Sequence, residues 1–118
     1  MAIGIILGAF AAHGLKEKIS PDKLIIFETG VKYHLLQALA LVFLGLNTRF
    51  FDTKKLKIAV ILLLTGILLF SGSLYALSTM EINGLVGIKS ILGPITPLGG
   101  ACMIIGWVIL AFAKKTEE

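Results

Sequence analysis

Two stretches of this chain, Ile58 to Met80 and Ser90 to Ala113, contain no charged side chain. Each is long enough to cross a bilayer, since a helix needs about 20 apolar residues to span about 30 Å of hydrocarbon. Hydrocarbon offers no water to a peptide group, so a chain that folds there must satisfy its backbone hydrogen bonds internally, as a helix does. The sequence therefore predicts an all-α integral membrane protein.

Composition narrows the function classes. Of the 118 residues, 57% are hydrophobic and 15% charged, with a mean hydropathy of +0.96, too little polar sequence to clothe a core in water. The net charge of +4 would suit a nucleic-acid binder. The Lys and Arg residues, however, cluster at the ends of apolar runs, where their stems snorkel to the headgroups, so nucleic acid is not expected as a partner. Cys102 is the sole cysteine, which rules out an intrachain disulfide, and its apolar setting reads as packing.

A four-transmembrane-helix bundle is expected, with helices over about 2–13, 21–49, 56–79 and 97–115 in a single membrane domain, 1–118. The first helix is short, about 18 Å at 1.5 Å per residue. Gly4, Gly8 and Ala12 give it a face of small residues for close helix packing. Ala9-Phe10-Ala11 has the small-x-small form of a signal cleavage site, but no basic residue precedes it, which favours a retained helix. Gly14 reads as its C-terminal cap, with Lys16 and Lys18 beyond at the negative end of the dipole.

Ser20-Pro21-Asp22 is a helix start: an N-cap, a first-turn proline and an acid near the positive dipole end. From there to about Val31 the pattern predicts an amphipathic interfacial segment, with Gly30 allowing a bend before the second crossing. A basic loop, Arg49 to Lys57, leads to the third helix. Between Glu81 and Thr96, Gly84, Gly87, Gly93 and Pro94 interrupt an apolar stretch, which reads as a re-entrant or interfacial segment. Thr96-Pro97 repeats the cap-then-proline start and opens the fourth helix, in which Trp107 reads as a packing residue. Four crossings put Arg49, Lys54, Lys55, Lys57, Lys114 and Lys115 on one side against Lys16, Lys18, Lys23, Lys32 and Lys89 on the other. The positive-inside rule then places both termini in the cytoplasm.

Polar groups at membrane depth are the first candidates for function, because they are costly there unless paired or used. Tyr33, His34 and Gln37 share one side of the second helix at spacings of three and four, and with His13 and Glu28 they form a candidate polar cluster. Its plain reading is interhelical glue; its functional reading is a polar path. Nothing has the paired-ligand spacing of a helical metal site, and Glu28 already faces Lys32 four residues on, so neither metal nor other cofactor is expected. Ser71 and Ser73 have no base near in sequence, so no catalytic residue is assigned and no enzyme is expected. Ser71, Gly72, Ser73, Tyr75 and Ala76 read as a packing face, with a ligand groove beside Tyr75 as the alternative. If the fourth helix starts at Pro97, its free N–H groups near Lys89, Thr96, Gly99 and Gly100 form a candidate anion or lipid-headgroup site; the alternative is a capped helix end that binds nothing.

Four blocks together carry a family likeness. They are Gly8-Ala9-Phe10-Ala11-Ala12-His13-Gly14-Leu15, Phe27-Glu28-Thr29-Gly30-Val31-Lys32-Tyr33-His34, Phe70-Ser71-Gly72-Ser73-Leu74-Tyr75, and Ile95-Thr96-Pro97-Leu98-Gly99-Gly100 with Gly106-Trp107. In this order the chain resembles the YgdD-like family of small bacterial inner-membrane proteins. The resemblance implies four membrane helices and supplies no activity, substrate or cofactor. It also implies two departures: an N-terminus that looks late or truncated, and Gln37 where many members carry a second histidine. The function expected is a non-enzymatic bundle that packs on itself, on copies of itself, on lipid or on a membrane-protein partner. A small proton or solute transporter, with a path lined by the polar cluster, is the alternative.

Overall fold

The structure is a computed structural model, and it describes residues 1–115. Among these it is helical almost throughout. Helix α1, Ala2–Phe10, runs into a π-helical segment, Ala11–Leu15; α2 is Pro21–Leu46, α3 is Thr53–Asn83 and α4 is Lys89–Ala111. Short 3-10 turns, Thr48–Phe50 and Val86–Ile88, precede α3 and α4. Connections this short make successive helices antiparallel neighbours. α2, α3 and α4 are each long and apolar enough to cross a membrane, whereas Ala2–Leu15 is shorter.

The helix starts follow from local chemistry. Ser20 Oγ accepts from the Lys23 N–H at 3.4 Å with a proline in the first turn, as Ser20-Pro21-Asp22 predicts. Asp52 caps α3 in the same way, Oδ1 accepting from the Lys55 N–H at 2.9 Å, so α3 begins a turn earlier than expected. It also ends later, at Gly84, whose φ of 73° is the left-handed conformation that glycine adopts readily.

Four local expectations are corrected. Gly14 lies inside the π-helical segment and caps nothing, because the chain stays helical to Leu15. α2 passes through Gly30 without a break, and Gly30 instead admits a close neighbour: a Cβ there would lie 2.9 Å from the Tyr75 ring. The second helix stops at Leu46, short of Arg49, which belongs to the following 3-10 turn. The fourth helix starts at Lys89, with Gly93, Pro94, Thr96 and Pro97 all inside it, so no re-entrant segment separates α3 from α4. Prolines are tolerated within membrane helices when neighbouring groups re-satisfy the freed backbone.

α3 is the central element, packed against α2 on one side and, more extensively, α4 on the other; α1 packs on α2. The α3–α4 contact is built on small residues. Gly66 faces Met103 and the Gly99 carbonyl, Gly99 faces the backbone of Phe70, and Gly106 faces Leu63 and the Ala59 carbonyl. On α1, Gly4 meets Leu35 and Gly8 meets Val31. Ala12 is exposed while Ala11 and Leu15 are buried, because Ala12 falls in the π-helical segment, whose wider turn breaks the four-residue register of Gly4 and Gly8. At one end of the bundle the α2–α3 turn is tied to the end of α4. The Asp52 N–H donates to the Ala113 carbonyl at 2.7 Å, Lys115 N–H to the Phe50 carbonyl at 3.0 Å, and Lys55 Nζ to the Phe112 carbonyl at 2.9 Å.

Polarity is inverted relative to a protein that faces water. The buried polar residues are Ser71, Ser73 and Ser78, all hydrogen-bonded. The exposed surface carries Leu36, Leu39, Val42 and Phe43 on α2, Ile58, Ile61 and Leu68 on α3, and Ile104, Ile105 and Val108 on α4. The extents of 57 × 28 × 17 Å describe a flat slab. Its 7568 Å² of surface exceeds the about 6200 Å² of a water-soluble monomer of 12.6 kDa. A broad apolar exterior of this kind belongs in a bilayer.

Candidate functional site

A cleft of about 490 Å³ opens between α2 and α4, floored by α3. Tyr33 and Gln37, four apart and therefore on one face of α2, form one wall. Phe70 comes from α3, and Gly100, Met103, Ile104, Trp107 and Val108 from α4. The Tyr33 and Phe70 rings meet edge to face with centroids 4.9 Å apart. Gly100 matters by what it lacks: a Cβ there would meet the Phe70 ring at 3.7 Å, so any larger side chain would intrude on the cleft.

One hydrogen bond joins the two walls, Trp107 Nε1 donating to Gln37 Oε1 at 3.0 Å. An indole N–H only donates, so this bond fixes the amide orientation: the oxygen faces Trp107 and the NH2 group faces away. Among the described residues, neither the Gln37 NH2 nor the Tyr33 hydroxyl has a protein partner. Both residues reach the surface of a helix long and apolar enough to cross a membrane.

The five residues of the expected polar cluster do not converge. His34 is turned instead towards α3 and α1, where its Nδ1 lies 3.0 Å from the Tyr75 hydroxyl and its ring borders Gly4. A second cavity, about 500 Å³, adjoins it and is lined mainly by Met1, Ile3, Ala38, Leu41 and Leu64. His13 and Glu28 are exposed on the outer surface. Spacings of three and four in one helix cannot say which neighbour each side chain meets, and the trio divides between two interfaces. Among the described residues, no group of three or more His, Cys, Asp or Glu is placed to hold a metal.

The expected packing face is also redistributed. Ser71 Oγ donates to the Gly30 carbonyl at 2.8 Å and joins α3 to α2. Ser73 Oγ lies 2.6 Å from Thr96 Oγ1 and joins α3 to α4. Tyr75 stacks at 4.8 Å on Phe27. Ala76 is half-buried, and Gly72 is exposed with nothing near its Cβ position, so the close approach expected there belongs to Gly66, Gly99 and Gly106. The premise of the headgroup site also changes. Thr96, Gly99 and Gly100 are interior to α4, and Lys89 opens the helix about 10 Å from Thr96, so they do not surround a helix N-terminus. The sequence reading missed the Gln37–Trp107 bond; two polar side chains in otherwise apolar runs were its only signal.

The family described as "Protein of unknown function (DUF423)" matches residues 7–100. The chain is 44% identical over 114 residues to the UPF0382 membrane protein YwdK of Bacillus subtilis, covering 96% of this chain and 85% of that protein. It is 40% identical over 115 residues to a UPF0382 membrane protein of Staphylococcus epidermidis, covering 96% and 84%. Its identity to one of Haemophilus influenzae is 39% over 110 residues, covering 93% and 82%. No solved structure matches the chain.

Proposed function

The chain belongs to the DUF423 family of UPF0382 membrane proteins, and from that premise we propose that it is a non-enzymatic binding bundle of the bacterial cytoplasmic membrane. Its α2–α4 cleft receives an apolar molecule or lipid chain from the bilayer. The observation that carries this reading is a cavity of about 490 Å³, within the range of small-molecule sites, whose apolar walls carry a few polar groups and open on a hydrocarbon-facing surface. The narrower YgdD-like likeness belongs to the same reading, as do copies of the chain or another membrane protein as partners. The end with Arg49, Lys54, Lys55, Lys57, Lys114 and Lys115 is read as cytoplasmic, with both termini on that side.

Transfer of protons or solutes is less well supported. His34 pairs with Tyr75 of α3 while Gln37 pairs with Trp107 of α4, and among the described residues no hydrogen bond joins the two pairs. Native mass spectrometry of the protein released from mild detergent tests the binding reading. A lipid-range adduct that survives on the wild type and is lost when Gly100→Phe fills the cleft supports it. A bare chain in both cases overturns it.

A further inference from the structure

Within that binding reading, the geometry points to a membrane-dissolved ring carrying two carbonyl acceptors, the isoprenoid-quinone class, as the ligand of the cleft, held by the Tyr33 hydroxyl and the Gln37 amide. The donor arrangement is the first argument. The bond from Trp107 takes one lone pair of the Gln37 oxygen and leaves both N–H donors of the amide, while among the described residues the Tyr33 hydroxyl has no protein partner. The NH2 group can only donate, so a ligand polar group that meets it must accept, and the Tyr33 hydroxyl can donate beside it. The two donor residues stand one helical turn apart on one wall, so they suit two acceptors set across one rigid body.

Depth is the second argument. Along the helices, Gln37 lies about 14 Å from the end of α2 at Leu46 and about 8 Å from Lys32, and Trp107 lies about 6 Å from the end of α4 at Ala111 and about 27 Å from Lys89. The pair therefore lies between the ends of two helices that are each long and apolar enough to cross a membrane. An acceptor that reaches Gln37 must belong to a molecule free to enter the bilayer interior. A neutral carbonyl-bearing ring with an apolar tail does so.

Shape is the third. Tyr33, Phe70 and Trp107 offer aromatic faces and edges around the cavity, and Met103 adds a polarisable thioether. Such walls suit a flat ring, and the opening towards lipid leaves room for a tail.

Trp107 is the only tryptophan of the chain and so reports from the site itself. The protein is reconstituted in phosphatidylethanolamine–phosphatidylglycerol vesicles and titrated with a short-tailed menaquinone, which quenches indole emission. Saturable quenching of the wild type is expected, with the midpoint raised at least fivefold by Tyr33→Phe and by Gln37→Leu, and unchanged by Ile58→Ala on the outer surface. Tyr33→Phe keeps the ring against Phe70 and removes only the hydroxyl, so its effect does not depend on whether Gln37→Leu folds. Quenching that rises linearly without saturation, or a midpoint indifferent to Tyr33→Phe, overturns the assignment. Phospholipids brominated in mid-chain form the second arm. If they quench Trp107 strongly and menaquinone does not relieve or replace that quenching, the cleft holds an ordinary acyl chain: the quinone assignment fails and the binding reading stands. If neither probe saturates and Gly100→Phe changes nothing, both fail.

Discussion

Gly99 on α4 lies so close to Phe70 on α3 that a Cβ built on it would stand 2.8 Å from the Phe70 Cα. The obstacle is backbone, which cannot rotate away as a side-chain tip can. Gly99→Ala must therefore push the helices apart along the largest interface of the bundle, at a cost of about 1–3 kcal/mol or more. Gly72→Ala is the matched control. It has open space at its Cβ position and gains helix propensity, so it should be neutral or stabilising by up to about 1 kcal/mol. Thermal unfolding of both variants in one detergent checks the pair. Equal melting temperatures would contradict the glycine-built interface.

Ser71 and Ser73 connect α3 to different partners, and each connection has a measurable strength. Ser71→Ala removes the donor to the Gly30 carbonyl and should cost about 1 kcal/mol, within the range found for hydrogen bonds between membrane helices. Ser73 and Thr96 call for a double-mutant cycle of Ser73→Ala with Thr96→Val. A coupling of about 0.6 kcal/mol is expected, and additivity would mean that the 2.6 Å contact contributes nothing.

The fold was legible where chemistry is local and illegible where it depends on a neighbour. The charge-free run Ile58 to Met80 placed α3, and Ser20-Pro21 placed the start of α2, because length and capping act within a few residues. The start of α4 was misread because Gly93-Pro94 and Thr96-Pro97 interrupt a helix in water. Here Thr96 Oγ1 bonds Ser73 across the interface and lies 3.5 Å from the Leu92 carbonyl, and the helix persists. Glycine roles failed for the same reason. Gly66, Gly72 and Gly99 look alike in sequence, and only the partner helix decides which of them is covered. The site was legible in kind but not in arrangement: Tyr33, His34 and Gln37 stood out as polar, yet their division between Trp107 and Tyr75 is a tertiary fact.

The pairing of the α2–α3 turn with the end of α4 puts Lys54 and Lys114 at one end of the bundle and Lys89 at the other. Cysteines introduced singly as Lys54→Cys and Lys89→Cys, with Cys102→Ala removing the native thiol, should label from opposite faces of the membrane. In intact cells an impermeant maleimide should modify the cysteine at 89, while the one at 54 should react only after permeabilisation. The reverse pattern would invert the orientation proposed, and labelling of both from one face would contradict α3 as a span.

Lys55 links the start of α3 to the end of α4, its Nζ donating to the Phe112 carbonyl at 2.9 Å. The last carbonyls of a helix lack intrahelical partners and carry its negative dipole end, so a lysine there stabilises by about 0.3–1 kcal/mol. Asp52 acts on the other helix at the same corner, accepting from the Lys55 N–H through its side chain and donating its own N–H to the Ala113 carbonyl. Asp52→Ala removes only the side-chain cap, at about 1 kcal/mol, and leaves the backbone tie. Lys55→Met keeps the apolar stem and loses the charge. The two variants should therefore differ in where they loosen the structure. Hydrogen exchange should quicken at Phe112 and Ala113 in Lys55→Met, and at the first turn of α3 in Asp52→Ala, with the middle of α3 protected in both. Faster exchange spread evenly along α3 in either variant would mean that this corner holds the whole bundle together rather than two helix ends.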